Sequence, residues 1–281
     1  MSNGGLRPDR TWPVAPISLL GEGLAPAADW WLRADPVHLL PDADRLRLMP
    51  AESLGLEARD GLVKVFNEHF AAEGYHLAAP HSQRWYLRAP RPLRIGTHTP
   101  EEAADHYVYD FMPAGPDAGL AARLMTEAQM LFHAAAEWRT PASEPAVNSL
   151  WLWGGGELPQ QRRVPLPFLW SNEPFARGLW LLTGNSVGSL PATAANCLAQ
   201  QEPEGFAMLQ SLDAPGRGRH PALETLERDW CAPLIDAIER GELDRLTLLP
   251  GGAEGFELTR AAARRFWRRR KPLAAIPVRH A

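Results

Sequence analysis

Residues 146–156, Ala-Val-Asn-Ser-Leu-Trp-Leu-Trp-Gly-Gly-Gly, impose the strongest constraint on what this 281-residue chain can fold into. A bulky apolar run that stops at three glycines predicts a buried strand feeding a tight, backbone-exposed turn. Glycine permits positive φ and close approach to the main chain. In α/β folds a turn at the carboxyl end of a strand is a common ligand position. Trp153, Gly154, Gly155 and Gly156 are therefore candidate ligand contacts, the glycine amides forming an anion nest. Core tryptophans followed by a plain turn fit the same residues. Asn148, at the start of the run, can bind a ligand or satisfy neighbouring backbone.

Around this strand the sequence divides into four segments. Residues 1–27 are an N-terminal segment. Residues 28–140 open on a short apolar run at Trp30–Leu32 and carry, up to about residue 90, a β-α-β-β order: a strand at Arg45–Met49, a helix at Leu54–Phe70 closed by Gly74, then strands at Tyr75–Ala79 and Arg84–Leu87. A proline-rich connector, Ala89–Pro100, leads to Asp117, the expected N-cap of a helix reaching Trp138 with Leu120, Leu124, Ala128, Leu131 and Ala135 on one face. Residues 141–260 contribute the tryptophan strand and further strands at Gly178–Leu182, Gly205–Leu212, Leu246–Leu249 and Phe256–Leu258. The helix among them, Pro221–Arg240, has Gly241 just past its end. Strands alternating with helices predict an α/β fold with a mainly parallel sheet, beside an α+β subdomain. Residues 261–281 form a basic tail.

The net charge of −4 is uneven: residues 260–281 carry eight cationic and no acidic side chains, so +8 there leaves −12 on the rest. Arg264, Arg265, Arg268, Arg269, Arg270 and Lys271 are candidates for contact with nucleic acid or an acidic partner. A solvated helix end fits them too. The acidic remainder would repel phosphates and argues against nucleic acid. Cys197 and Cys231 lack metal-ligand spacing and read as reduced core thiols. The N-terminus lacks a signal-like apolar region, and no apolar run is long enough to span a bilayer, so a cytoplasmic location is expected. Phosphate-loop, dinucleotide and nucleophile-elbow motifs are absent, as are paired metal-binding histidines.

Arg33-Ala34-Asp35-Pro36-Val37-His38 places three polar side chains after the Trp30-Trp31 strand. Arg33 can grip a carboxylate or phosphate as a fork, or simply pair with Asp35. Arg84 lies in a second apolar strand, and two arginines converging from neighbouring strands would make an anion site. Glu127, Gln129 and His133 are polar positions on the long helix.

Together, Trp31–Leu39, Arg84-Trp85-Tyr86-Leu87, Glu127–Leu131 and Asn148–Gly156 resemble the bacterial RpfE-type regulatory proteins. That group is similar to archaeal-type, cofactor-independent phosphoglycerate mutases of the alkaline-phosphatase superfamily. The resemblance implies a reduced alkaline-phosphatase-like sheet with a lid-like subdomain over residues 28–140, and places Arg33 and Arg84 where the mutases carry arginines. The chain departs from the pattern where chemistry is done. The mutase metal motif is replaced by Leu212–His220, which keeps only Asp213 and His220 at altered spacing. Pro250-Gly251-Gly252 stands where an Asp-His pair is expected, and Gly21-Glu22-Gly23 is the nearest remnant of the nucleophile region. Two-metal phosphoryl transfer needs that cage and an activated nucleophile.

What the resemblance implies is a metal-free, cofactor-free regulatory or sensor protein. It would bind a small phosphorylated or carboxylated ligand, or a protein partner, near Arg33, Asp35, His38, Arg84, Glu127, Asn148 and the 153–156 turn. Two alternatives stay open. One is a mutase- or phosphatase-type enzyme with an altered active site, using Asp35, His38 or Glu127 as acid and base. The other is a nucleic-acid-associated factor acting through the basic C-terminus.

Overall fold

The structure, a computed structural model, describes residues 12–42, 45–50, 54–104, 106–135, 147–200, 202, 204–209, 221–250 and 255–263. In chain order the regular elements are α1 (Val14–Gly21), β1 (Trp30–Asp42), β2 (Arg45–Pro50), α2 (Leu56–Phe70), β3 (His76–Ala78), β4 (Tyr86–Ala89), α3 (Pro100–Ala103), α4 (Ala118–Ala134), β5 (Ser149–Gly156), β6 (Phe168–Ser171), α5 (Pro174–Leu182), β7 (Val187–Gly188), α6 (Ala194–Leu198), β8 (Gly205–Met208), α7 (Pro221–Leu226), α8 (Ala232–Arg240), β9 (Arg245–Leu248), β10 (Phe256–Thr259) and α9 (Arg260–Ala263). They fall into two compact units, one drawn from Met1–Pro167 and Glu173–Val187, the other from Phe168–Asn172 and Gly188–Ala281. Among the described residues no helix is long and apolar enough to cross a membrane.

The first unit is organised by β1. Along one edge it pairs with β4 over Trp30–Arg33 and with β2 over Val37–Asp42; along the other it pairs with β5 over Trp31–Val37. All these pairings are antiparallel, as is that of β3 with β4. Leu32, Ala34, Trp85 and Leu87 join Leu62, Phe66 and Phe70 of α2 and Ala121, Leu124, Met125, Ala128 and Phe132 of α4 in the main core. The Asn67 amide clamps Leu77, accepting from its N–H at 2.6 Å and donating to its carbonyl at 2.9 Å, which fixes β3 against α2. A second apolar cluster holds α1 to the sheet through Ala15, Leu19, Trp31 and Tyr86.

The three glycines do not end their strand. All lie within β5, and the register shows why: between the Arg33–Trp153 and Trp31–Gly156 pairs β5 has one residue more than β1. This is a β-bulge, carried by Gly154 at φ +61°. The sequence pattern predicts a turn because glycine marks turns and bulges alike. Here glycine gives α1 room. A Cβ on Gly154 would stand 2.9 Å from Val14 Cβ, and one on Gly156 would stand 2.3 Å from Pro13 Cβ.

Further differences have local causes. Residues 178–182 form part of α5 rather than a strand. A five-residue apolar run does not distinguish the two, and Pro174 at the first turn starts a helix. α5 crosses α1 at backbone distance: a Cβ on Gly178 would lie 1.8 Å from Ile17 O, and one on Gly21 1.8 Å from Pro174 O. Asp117 is the N-cap residue of α4, as expected, but its side chain makes no capping hydrogen bond. Its carboxylate instead accepts from the Arg91 guanidinium at 3.0 Å and the Arg94 N–H at 2.8 Å, tying down the proline-rich connector. The buried face of α4 centres on Ala121, Leu124, Met125, Ala128 and Phe132, while Leu120 and Leu131 sit at its margin. The helix closes at Ala134 with Ala135 as its non-helical C-cap, short of the expected end at Trp138; residues 136–138 lie outside the described residues.

The second unit holds the parallel pairing that was expected to dominate: β6 and β8 run parallel in a sheet ordered β7-β6-β8. The α/β class stands, but the pairings of the largest sheet are antiparallel, and the parallel character comes from the β6–β8 pair. The strand β5 and the segment α5, grouped by sequence with residues 141–260, belong to the first unit. A small core of Trp170, Ala194, Cys197 and Trp230 holds the second unit, where burial pushes the Cys197 thiol up to about 11. Both cysteines are free. The helix from Pro221 to Arg240 forms as expected but passes through a π turn, Glu227–Cys231, just before Pro233. Proline donates no N–H and crowds the preceding turn, which the wider turn relieves. β9 and β10 pair antiparallel.

Gly178→Ala is expected to cost about 3 kcal/mol or more in urea denaturation, since the new methyl meets backbone that cannot yield. Gly119→Ala, exposed on α4 with open space around it, should be neutral or stabilising by up to ~1 kcal/mol. A cost below about 1 kcal/mol at Gly178 would contradict the α1–α5 crossing. Hydrogen bonds from Arg91 and Arg94 hold the Asp117 carboxyl down at about 2. Its folded pKa lies below its unfolded value, so its contribution is complete above about pH 4 and is lost as pH falls toward 2. The stability difference between wild type and Asp117→Asn should accordingly shrink over that window; a difference independent of pH would disprove the assignment.

Candidate functional site

Three strands of the first unit meet at Arg33. It pairs with Tyr86 across β1–β4 and with Trp153 across β1–β5. Residues directly opposed in antiparallel strands share a face, so both rings flank the guanidinium, with Arg33 Cζ 5.2 Å from each centroid. Asp35, two residues along and on the same face, accepts from Arg33 Nε at 3.0 Å and Nη2 at 2.6 Å through Oδ1. Its Oδ2 accepts the Trp153 indole N–H at 2.7 Å, and the Trp85 backbone N–H also donates to the carboxylate. Both charged residues are 7% exposed. Burial pushes the Asp35 carboxyl above its usual range, opposed first by Arg33. Burial also works to lower the Arg33 pKa, but Asp35 foremost and Tyr86 next hold it above its ordinary value.

Beside this pair lies another. Glu22, the C-cap residue of α1, accepts from Arg84 Nε at 2.7 Å and Nη2 at 3.4 Å. The Tyr86 hydroxyl donates to the same carboxylate at 3.3 Å. Arg84 keeps about a quarter of its side-chain surface exposed, Glu22 about an eighth. Burial pushes the Tyr86 phenol far above its usual value, with Arg33 opposing and Glu22 adding to the rise, so the hydroxyl stays protonated at neutral pH. His81, in the turn before β4, is held below its ordinary value by burial and then by Arg84. Glu173, at the start of α5, adds negative charge close to Arg33.

The two arginines singled out from sequence thus meet around Tyr86, together with Asp35 and Trp153. The other candidates lie elsewhere. Asn148 binds backbone: its amide donates to Leu39 O at 2.9 Å and accepts from Leu39 N–H at 2.7 Å, locking β5 to β1. His38 stands opposite Met49 in the β1–β2 ladder. Glu127 belongs to a surface network on the α2–α4 layer, contacting His69 at 3.0 Å and Arg123 at 3.2 Å, with Arg123 also bound to Glu73. The Gly154 N–H donates to Thr97 Oγ1 at 3.3 Å. Arg264, Arg265, Arg268, Arg269, Arg270 and Lys271 lie outside the described residues, as do Asp213 and His220. Among the described residues no group of three or more His, Cys, Asp or Glu side chains comes together to hold a metal ion. Sequence reasoning did not connect Glu22, His81 and Glu173 to the site. The one signal was at Glu22, which the resemblance places in Gly21-Glu22-Gly23, the nearest remnant of the nucleophile region.

No family model matches this chain, and no curated protein does. Among solved structures it is similar to a cofactor-independent phosphoglycerate mutase from Thermoplasma acidophilum DSM 1728, at 16% identity and a TM-score of 0.42 over 83% of this chain and 69% of that one. It is also similar to the PH0037 protein from Pyrococcus horikoshii, at 15% identity and a TM-score of 0.48 over 83% of this chain; the match spans 62% of that protein.

Arg33→Met, which strands the Asp35 charge in the interior, is expected to cost about 3–5 kcal/mol in chemical denaturation. The Arg33→Met/Asp35→Leu double variant should recover most of that loss. Trp153→Phe, which removes one donor from Asp35, should cost about 1–3 kcal/mol. Equal losses in the single and double variants would show that the pair does not act as a unit.

Proposed function

We propose that this chain is a non-catalytic regulatory protein of the RpfE type, built on a phosphoglycerate-mutase-like frame, that binds a small phosphorylated or carboxylated ligand at the Arg84 edge of the Tyr86 cluster. The observation that carries the reading is the arrangement of donors around Tyr86. The Arg33 guanidinium lies over its ring, its hydroxyl donates to the Glu22 carboxylate that also holds Arg84, and burial keeps that hydroxyl protonated. A protonated phenol already donating to a carboxylate can donate to an oxyanion in the same way but is a poor nucleophile for phosphoryl transfer. Arg33 is taken up by Asp35 and enclosed by two rings, whereas the more exposed Arg84 supplies the fork that a ligand can reach. The motif resemblance and the replaced metal motif at 212–220 point the same way.

The test is thermal stability against 3-phosphoglycerate, inorganic phosphate, Mg²⁺ and Mn²⁺, together with an assay for phosphoryl transfer from 3-phosphoglycerate. A ligand at a hundred times its Kd stabilises by about 2.7 kcal/mol, which for a chain this size raises Tm by roughly 5 °C. That rise is expected with an anion, and Arg84→Ala should abolish it. Phosphoryl transfer dependent on Mn²⁺ or Mg²⁺ would overturn the non-catalytic reading.

A further inference from the structure

Resting on the reading of the Arg84 edge as an anion site, we propose that Glu22 is its built-in occupant, a carboxylate of the chain that an external oxyanion must displace. Arg84 presents Nε and Nη2 side by side to Glu22, at 2.7 and 3.4 Å, the edge with which a guanidinium grips a free carboxylate or phosphate. The Tyr86 hydroxyl supplies a third donor to the same oxygen that accepts from Nε. Glu22 therefore fills the complete set of donors that a small oxyanion would use.

The placement of Glu22 runs against local preference. It caps the C-terminal end of α1, where the helix presents its partial negative charge and a carboxylate is disfavoured. Its position comes from the tertiary pairing with Arg84. The helix cannot swing away to release it. Gly21 and Gly178 cross at backbone distance, and Arg177 Nε donates to Gly21 O at 3.2 Å. Release is confined to the Glu22 side chain and the turn after it, where Gly23 sits at φ +88° with open space around it. With Glu22 seated, the cluster holds two matched pairs, Arg33 with Asp35 and Arg84 with Glu22. With Glu22 displaced, Arg84 and Tyr86 offer three donors, which suits a small carboxylate or phosphate.

The experiment is isothermal titration calorimetry at fixed ionic strength, with inorganic phosphate and acetate as probes, on wild type, Glu22→Gln, Glu22→Asp and Glu22→Gln/Arg84→Ala. Circular dichroism checks that each variant is folded. Glu22→Gln removes the competing charge at nearly constant shape and is expected to bind one or both probes at least about tenfold more tightly than wild type. Glu22→Asp, which keeps the charge but withdraws it from Arg84, should fall between the two, and the Arg84 substitution should cancel the gain. Phosphate alone gaining affinity, or both probes gaining, each supports displacement and identifies the class of oxyanion. Equal affinities in wild type, Glu22→Gln and Glu22→Asp would overturn the occupant role while leaving Arg84 as an anion site. Binding by none of the proteins would overturn both.

Discussion

The buried pair of Arg33 and Asp35 is the interaction on which the first unit turns. Taking two ions out of water costs several kcal/mol each, and their attraction offsets this only when the remaining hydrogen-bonding capacity is satisfied. Here that condition recruits all three strands. β1 supplies both ions; β4 supplies the Tyr86 ring and the residue just before it the Trp85 N–H; β5 supplies the Trp153 indole and its ring face. A register slip of one residue in β4 or β5 would carry Tyr86 or Trp153 to the other face and leave a buried charge unsatisfied. The pair therefore fixes pairing between segments that are far apart in sequence.

The glycines solve a complementary problem. A short helix, α1, must lie against the sheet and against α5 at once, close enough that side chains cannot intervene. Gly154 and Gly156 clear the sheet side, and Gly21 and Gly178 clear the helix side. The bulge at Gly154 sits immediately after Trp153, so the same irregularity that admits α1 also ends the stretch of β5 that serves Asp35. Helix docking and charge satisfaction are set by neighbouring residues of one strand.

Elements were legible in the sequence where periodicity extended over several turns, as in α2 and α4, or where turn residues bracketed alternating strands, as at β9 and β10. The segment 178–182 was not, because five apolar residues carry no period. The sense of the main sheet was not legible either: alternation of strands and helices suggests crossovers, but β1 finds β5 more than a hundred residues away in the antiparallel sense. Of the site, Arg33, Asp35, Arg84 and Trp153 were visible as polar or aromatic residues in apolar strands. Asn148 and Glu127 were equally visible, and the structure gives one to backbone and the other to a surface network. A polar residue in an apolar strand signals a buried partner, and its chemistry alone does not say whether that partner is backbone, side chain or ligand.

Glu22 shows how such a residue can be weighed. Where local rules and tertiary structure agree, a residue is explained by folding. Where they conflict, something else has selected it. A neutral residue at this helix end would remove the clash with the helix dipole, and an apolar partner would leave Arg84 free to reach solvent. The chain instead keeps a carboxylate there, seated on the exposed arginine of the cluster and on a phenol that burial holds protonated. The Arg33–Asp35 pair, by contrast, is enclosed and satisfied on every side, as a structural element should be. Two pairs of the same chemistry, one sealed and one reachable, divide the labour within a single sheet face: the first holds the strands in register, and the second holds a place that another anion can contest.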